Sequence, residues 1–119
     1  MARLLIVDDE PDVLFLLEAN VTAFGHEAVG TSDPQQAWDL LSASTFDGLV
    51  LDVSMPGKDG PTLLRELQSG GVAPDHVFLL SAVPPSQLRS LAEELGATAV
   101  AKPFTSASLR EALGPVLGE

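Results

Sequence analysis

The sequence predicts an α/β domain built on a doubly wound parallel sheet, and three observations carry that prediction. Short apolar runs of strand length recur along the chain, as in ArgLeuLeuIleVal (3–7), GlyLeuValLeu (48–51), ValPheLeuLeu (77–80) and AlaThrAlaValAla (97–101). The stretches between them repeat apolar residues at helical spacing, and several open on proline or close on glycine. Polar residues stand where successive runs end: Asp8 and Asp9, Asp52, Ser81 and Lys102.

Taken in order, β1 is expected at 3–7 and α1 at 12–24. Val13, Leu16, Leu17, Asn20, Val21 and Phe24 form the inward face of α1, with Leu14 at its rim, and Gly25 ends it. A brief β2 follows at 27–30, and SerAspPro at 32–34 opens α2 with a polar cap and a first-turn proline. Ala37, Leu40 and Leu41 are the buried stripe of α2, and Trp38 packs partially beside them. The most continuous apolar strand is β3 at 48–53, as expected for a centre covered on both faces. A turn-rich loop, MetProGlyLysAspGly at 55–60, leads into α3 at 61–67, which turns Leu63, Leu64 and Leu67 inward. Then come β4 at 76–80 and α4 from Pro84-Pro85 to Gly96, with Leu88, Leu91, Ala92 and Leu95 as its stripe. β5 at 97–101 precedes α5, which starts near Ser106 and buries Leu109, Ala112, Leu113 and Val116; Gly114-Pro115 is expected to fray or kink it. Five βα units with right-handed crossovers favour the flavodoxin-like (βα)5 arrangement, strand order 2-1-3-4-5, helices on both faces and a switch point between β1 and β3.

Composition bounds the function. A chain of 119 residues supports one core, so a single domain over 1–119 is expected. Absent cysteine excludes disulfides and thiolate metal sites, and His26 and His76 lack zinc-site spacing. No apolar run approaches membrane-spanning length, and the N-terminus does not read as a signal peptide, so a soluble, cytoplasmic domain is expected. With net charge −11 and six Lys and Arg, no basic face for nucleic acid can be assembled.

In an open parallel sheet, ligands bind at the carboxyl ends of the strands. Asp8, Asp9, Asp52, Ser81 and Lys102 should therefore meet in one pocket of three carboxylates, a hydroxyl and an ammonium. Clustered carboxylates raise one another's proton affinity, and Mg²⁺, a cation that takes hard oxygen ligands, relieves that repulsion. One oxygen of Asp52 then remains as a nucleophile for a phosphoryl group. The charge on the three equatorial phosphoryl oxygens would be met by Mg²⁺, Lys102 and the Ser81 hydroxyl with nearby backbone N–H groups. Each residue alone has a blander reading: AspAspGlu before a helix as N-capping, Ser81 as a loop hydroxyl, Lys102 as a surface lysine. Their joint placement at adjacent strand ends favours the site.

The motifs ValAspAspGlu at 7–10, LeuAspValSerMetProGlyLysAspGly at 51–60, SerAla at 81–82 and LysProPhe at 102–104 carry a family likeness. Nearly the whole chain resembles a response-regulator receiver domain of two-component signal transduction, of the chemotaxis-regulator kind. The resemblance implies that Asp52 accepts a phosphoryl group from a sensor histidine kinase or histidine phosphotransfer protein, and that Ser81 is the switch hydroxyl. It implies that Asp8, Asp9 (one of them through water), Asp52 and the backbone carbonyl of Ser54 bind Mg²⁺. Lys102 would pair with the phosphoryl group, the 102–103 peptide would be cis, and Ala82 would leave access to Asp52. Gly60 would let the loop after the phosphosite turn into α3, and Ser54 and Val83 would tune phosphate lifetime. Such a domain promotes its own phosphorylation and dephosphorylation and has no separate substrate.

Two features depart from or extend that pattern. Ala99 stands where receivers commonly carry Tyr or Phe, so the usual aromatic readout on the α4–β5–α5 face cannot operate, although that face is also where a homodimer would form. Output then uses another surface, or the domain only relays phosphate. Phe15 points away from the α1 stripe, and with Leu14 it is a candidate contact for the kinase or phosphotransfer partner. A metal-dependent phosphatase is disfavoured, because such enzymes carry an Asp-x-Asp pair with the nucleophile on the first strand. A pseudo-receiver acting only as an interaction module predicts a damaged pocket, and none of the five pocket side chains is missing.

Overall fold

The computed structural model describes residues 1–118, and Glu119 lies outside the described residues. Five parallel strands, β1 (Arg3–Val7), β2 (Glu27–Thr31), β3 (Gly48–Asp52), β4 (His76–Ser81) and β5 (Thr98–Ala101), lie in the order β2-β1-β3-β4-β5. They alternate with α1 (Pro11–Ala23), α2 (Pro34–Ala43), α3 (Gly60–Ser69), α4 (Pro85–Leu95) and α5 (Ser106–Leu117). The expected order and element sequence hold, with boundaries shifted by one or two residues.

Strand side chains alternate between two apolar layers, as a pleated sheet requires. Leu4, Ile6, Val50, Phe78, Leu80 and Val100 face the layer that α1 and α5 cover with Leu17, Val21, Leu109, Leu113 and Leu117. Leu5, Val7, Leu49, Leu51, Val77 and Leu79 face the other, where α2, α3 and α4 contribute Ala37, Leu41, Leu63, Leu64, Leu67, Leu88, Ala92 and Leu95. Residues of β3 are buried throughout, as its position at the sheet centre demands.

Two expectations for the helices are corrected. On α1 the buried residues are Leu17 and Val21, with Val13, Leu14 and Phe24 packed against them, whereas Leu16 is 48 % exposed beside Phe15 at 72 %. The apolar stripe runs through 14, 17, 21 and 24, so Leu14 turns inward and Leu16 turns to solvent. Asn20 is outside the stripe and donates through Nδ2 to the Leu16 carbonyl at 2.8 Å. On α5 the helix continues through Pro115 to Leu117 and ends on Gly118, whose N–H reaches the Gly114 carbonyl. Proline removes one donor there, but Leu113 and Leu117 are buried on the sheet and hold the last turn in place.

Helix starts follow local chemistry. The Asp33 carboxylate accepts from Gln35 N–H, Asp59 accepts from Thr62 N–H, and Thr105 and Ser108 form a reciprocal capping box. The Asp59 hydrogen bonds to Thr62 hold its carboxyl below the usual pKa. α1 and α4 are different: Glu10 and Pro84 occupy their N-caps without any side-chain capping bond.

Candidate phosphoacceptor and metal site

Register delivers the site residues to one edge. Val7 pairs with both Thr31 and Leu51, Asp52 with Leu80, and Ser81 with Ala101. Asp8, Asp52, Ser81 and Lys102 therefore emerge at the same level of the sheet. Glu10, Asp52, Ser54, Ser81, Ala82, Val83 and Lys102 line a cleft of about 350 Å³ there. The Asp8 amide donates to the Thr31 carbonyl, the Val53 amide to Leu80, and the Lys102 amide to Ser81, so main-chain bonds tie β1 to β2, β3 to β4 and β5 to β4 at this edge.

Lys102 Nζ lies 3.3 Å from Asp52 Oδ1, 3.4 Å from Asp8 Oδ2 and 3.5 Å from Glu10 Oε1. Asp8 is fully buried and Asp52 is 3 % exposed, so their charges are poorly solvated. Burial, then the Asp8 charge and the neighbouring Asp9 carboxyl, push the Asp52 pKa up to about 6 against the opposing pull of Lys102. Burial also raises Asp8, although the Glu10 amide and Lys102 work against it. Burial alone would lower Lys102, but the Asp52 and Asp8 charges outweigh it and hold the ammonium above its ordinary value.

Asp8 Oδ1 accepts from the Glu10 amide at 2.9 Å. Asp8 Oδ2, which has only the ion-pair contact with Lys102, and Asp9 Oδ1 are buried with no hydrogen-bond partner among the described residues. Buried polar atoms left unpaired cost free energy unless something completes them. Oxygens of Asp8, Asp9, Glu10 and Asp52 lie within 4.8 Å of one another. An all-oxygen, multiply anionic donor set with two unpaired atoms fits a hard divalent cation such as Mg²⁺. The bond from the Glu10 amide accounts for one of these oxygens, and no side-chain capping bond at the start of α1 accounts for the others.

Ser81 is buried, and its Oγ accepts from the Val83 amide at 3.1 Å. Ser54 is exposed at the cleft rim, and the Lys102–Pro103 peptide is cis. Gly60 has a more specific reason than turning a loop. A Cβ at that position would come within 2.2 Å of the Asp52 carbonyl oxygen, so α3 begins directly against the backbone of Asp52. Ala99 is half-buried against the α2–α3–α4 layer, and Trp38 packs on the same layer with its ring beside Gly70.

The sequence reading placed Asp8, Asp9, Asp52, Ser81 and Lys102 together, and the structure brings them together. It missed Glu10 as a fourth carboxylate of the cluster. The signal was its place directly after Asp8-Asp9, where a helix start hides an acidic residue as a cap. Leu14 and Phe15 lie on α1, outside the residues that line the cleft, with Leu14 packed inward.

The family described as "Response regulator receiver domain" matches residues 4–114. The sensory/regulatory protein RpfC of Xanthomonas campestris pv. campestris is 31 % identical over 116 residues, covering 93 % of this chain and 16 % of that protein. A probable transcriptional regulator, ycf27, of Guillardia theta is 32 % identical over 116 residues, covering 97 % of this chain and 45 % of that protein. The chain thus spans less than half the length of either relative. Among solved structures, the receiver domain of the sensor histidine kinase PA1611 from Pseudomonas aeruginosa, with magnesium ion coordinated in its active site cleft, superimposes with a TM-score of 0.83. It is 24 % identical and covers 99 % of this chain and 98 % of that one.

Proposed function

This chain belongs to the response regulator receiver domain family, and from that premise we propose that it is a cytoplasmic phosphoacceptor, taking a phosphoryl group onto Asp52 from the phosphohistidine of a sensor histidine kinase or histidine phosphotransfer protein. The observation that carries the reading is Asp52 itself, a buried carboxylate opening on a cleft, 3.3 Å from a lysine and clustered with three other acids.

In the transfer, an Asp52 carboxylate oxygen attacks phosphorus and the P–N bond breaks. The electron pair stays on the departing imidazole nitrogen. The Lys102 ammonium is within ion-pair distance of Asp52 Oδ1 and neutralises charge on the phosphoryl oxygens. The Ser81 hydroxyl, on the next strand end, donates a hydrogen bond to a second oxygen. A Mg²⁺ ion held by Asp8, Asp9, Asp52 and the Ser54 backbone carbonyl would supply the remaining charge neutralisation.

Rotation of Ser81 toward the phosphoryl group gives up its bond from the Val83 amide. The β4–α4 loop is thereby released, and a pre-existing equilibrium shifts. Ala99 offers no ring to follow that motion, which supports a phosphate-relay role or an output surface away from β5. The domain turns over no separate substrate; it promotes its own phosphorylation and slow dephosphorylation. On α1, Phe15 and Leu16 form the exposed apolar contact for the phosphohistidine partner.

The test is intact mass after incubation with acetyl phosphate and Mg²⁺, beside Asp52→Ala. A gain of one phosphoryl group that requires both the metal and Asp52 is expected. Absence of any gain with acetyl phosphate, phosphoramidate and a phosphohistidine donor alike would overturn the reading.

A further inference from the structure

Glu10 is an unusual member of the site. Its side chain in the ion pair is 62 % exposed, whereas those of Asp8 and Asp52 are 0 % and 3 % exposed. It occupies the N-cap of α1 yet caps nothing. Its carboxylate reaches across 92 residues of sequence to Lys102 Nζ at 3.5 Å, and it lines the cleft together with Ser54 and Val83. Lys102 is thus shared among three carboxylates, with Glu10 the outermost of them.

We propose that Glu10 is a specificity residue that sorts phosphodonors by charge, slowing transfer from free dianionic acyl phosphates relative to donors whose leaving group carries a proton. The inference rests on the phosphoacceptor reading of Asp52. Two effects act in the same direction. Glu10 adds a negative charge at the entrance that any donor must pass, and it competes with the incoming phosphoryl oxygens for the Lys102 ammonium. Both grow with the negative charge of the donor.

With acetyl phosphate, the Asp52 oxygen bonds to phosphorus, the P–O bond to acetate breaks, and acetate leaves with the electron pair. One carboxylate and one dianion become one acyl phosphate dianion and one acetate, and no proton is needed. With phosphoramidate, the nitrogen already carries its proton, so ammonia departs neutral and the donor approaches as a monoanion. A phosphohistidine on a partner protein, with its other ring nitrogen protonated, likewise departs as neutral imidazole and brings binding contacts of its own. Glu10 therefore favours the partner over the small acyl phosphate.

The experiment measures phosphorylation rates by intact mass for the wild type, Glu10→Gln and Glu10→Asp with acetyl phosphate and with phosphoramidate, at saturating Mg²⁺ and at two ionic strengths. Glu10→Gln keeps the backbone N–H that Asp8 uses. An exposed charge within one Debye length should change the acetyl phosphate rate roughly fivefold and the phosphoramidate rate less than about twofold. Added salt should shrink the gap, and Glu10→Asp should stay near the wild type. In parallel, ¹⁹F NMR titration with beryllofluoride, an anionic phosphoryl mimic, should show tighter binding to Glu10→Gln. Equal effects on both donors, or a beryllofluoride affinity that does not tighten, overturns the inference. So does a loss of Mg²⁺ affinity in Glu10→Gln greater than about tenfold, which would make Glu10 a metal ligand. A wild type that accepts phosphoryl from neither donor counts against the phosphoacceptor reading instead, and the beryllofluoride titration still decides on Glu10.

Discussion

At the amino edge of the sheet, the charges that β1 brings are matched by partners. The Arg3 guanidinium lies 4.3 Å over the Phe46 ring and 3.4 Å from Glu27, while the Arg3 amide donates to Asp47 Oδ2 at 2.7 Å. The Ala2 amide donates to His26 Nδ1 at 2.8 Å. At the carboxyl edge of the same strands, Asp8, Glu10 and Asp52 crowd around one ammonium with Asp9 beside them, and two buried oxygens lack hydrogen bonds among the described residues. Both edges are built from polar residues at the ends of apolar runs, yet one edge uses its charge to hold the fold and the other stores charge against it. Energetic cost concentrated at one edge of an otherwise consistent fold is what a binding site looks like.

The comparison can be tested by substitutions at each edge. Gly60→Ala should have the largest effect: the added Cβ overlaps the Asp52 carbonyl oxygen, so backbone must move. We expect a loss of about 3 kcal/mol in denaturant unfolding together with a fall in phosphorylation rate. Retained stability would show that α3 can retreat from Asp52 freely.

Asp52→Asn should act in the opposite direction and stabilise the metal-free protein at pH 7 by at most about 3 kcal/mol. The sign follows from the raised pKa of about 6 against an ordinary value of 3.8. Between about pH 4 and 6 the unfolded chain has already lost the Asp52 proton while the folded protein keeps it. Wild-type stability therefore falls as pH rises through that window. The Asn variant lacks this loss, so its advantage is complete above about pH 6 and absent below about pH 4. Thermal unfolding across pH without divalent metal measures it. Mg²⁺ should raise the wild-type Tm and narrow the gap, since a ligand that binds only the folded state stabilises it. A destabilised Asn variant at pH 7 would mean that the Lys102 pair outweighs burial.

At the opposite edge, Arg3→Ala should cost about 1 kcal/mol, from the loss of a partly exposed cation–π contact and ion pair, and leave phosphorylation from acetyl phosphate unchanged. An activity change there would join two edges that the structure keeps apart. The smallest stability effect belongs to Phe15→Ser and Leu16→Ser on the exposed side of α1, within about 0.5 kcal/mol. Their expected consequence is slower transfer from a phosphohistidine partner with an unchanged acetyl phosphate rate.

Legibility in the sequence divided along physical lines. Asp8, Asp52, Ser81 and Lys102 were readable because each ends an apolar run, and in a parallel sheet run ends are ligand positions. Glu10 was not, because its role depends on how far a flexible side chain reaches across to Lys102. The stripe of α1 was misplaced by one residue because Leu14, Leu16 and Leu17 are equally apolar, and only contact with β1 and β2 selects which leucines turn inward. Pro115 suggested a frayed or kinked end to α5, but the helix runs on to Leu117, held by the burial of Leu113 and Leu117.

By itself, the sequence determined the alternation of strands and helices, the parallel order of the sheet and the residue types at its carboxyl edge. Each of these follows from local periodicity and chain connectivity. Tertiary structure alone decided which oxygens are buried without partners, how three carboxylates divide one ammonium, why position 60 must lack a side chain, and which face of α1 meets solvent. Those are distances between residues far apart in the chain, and they exist only once the strands are in register.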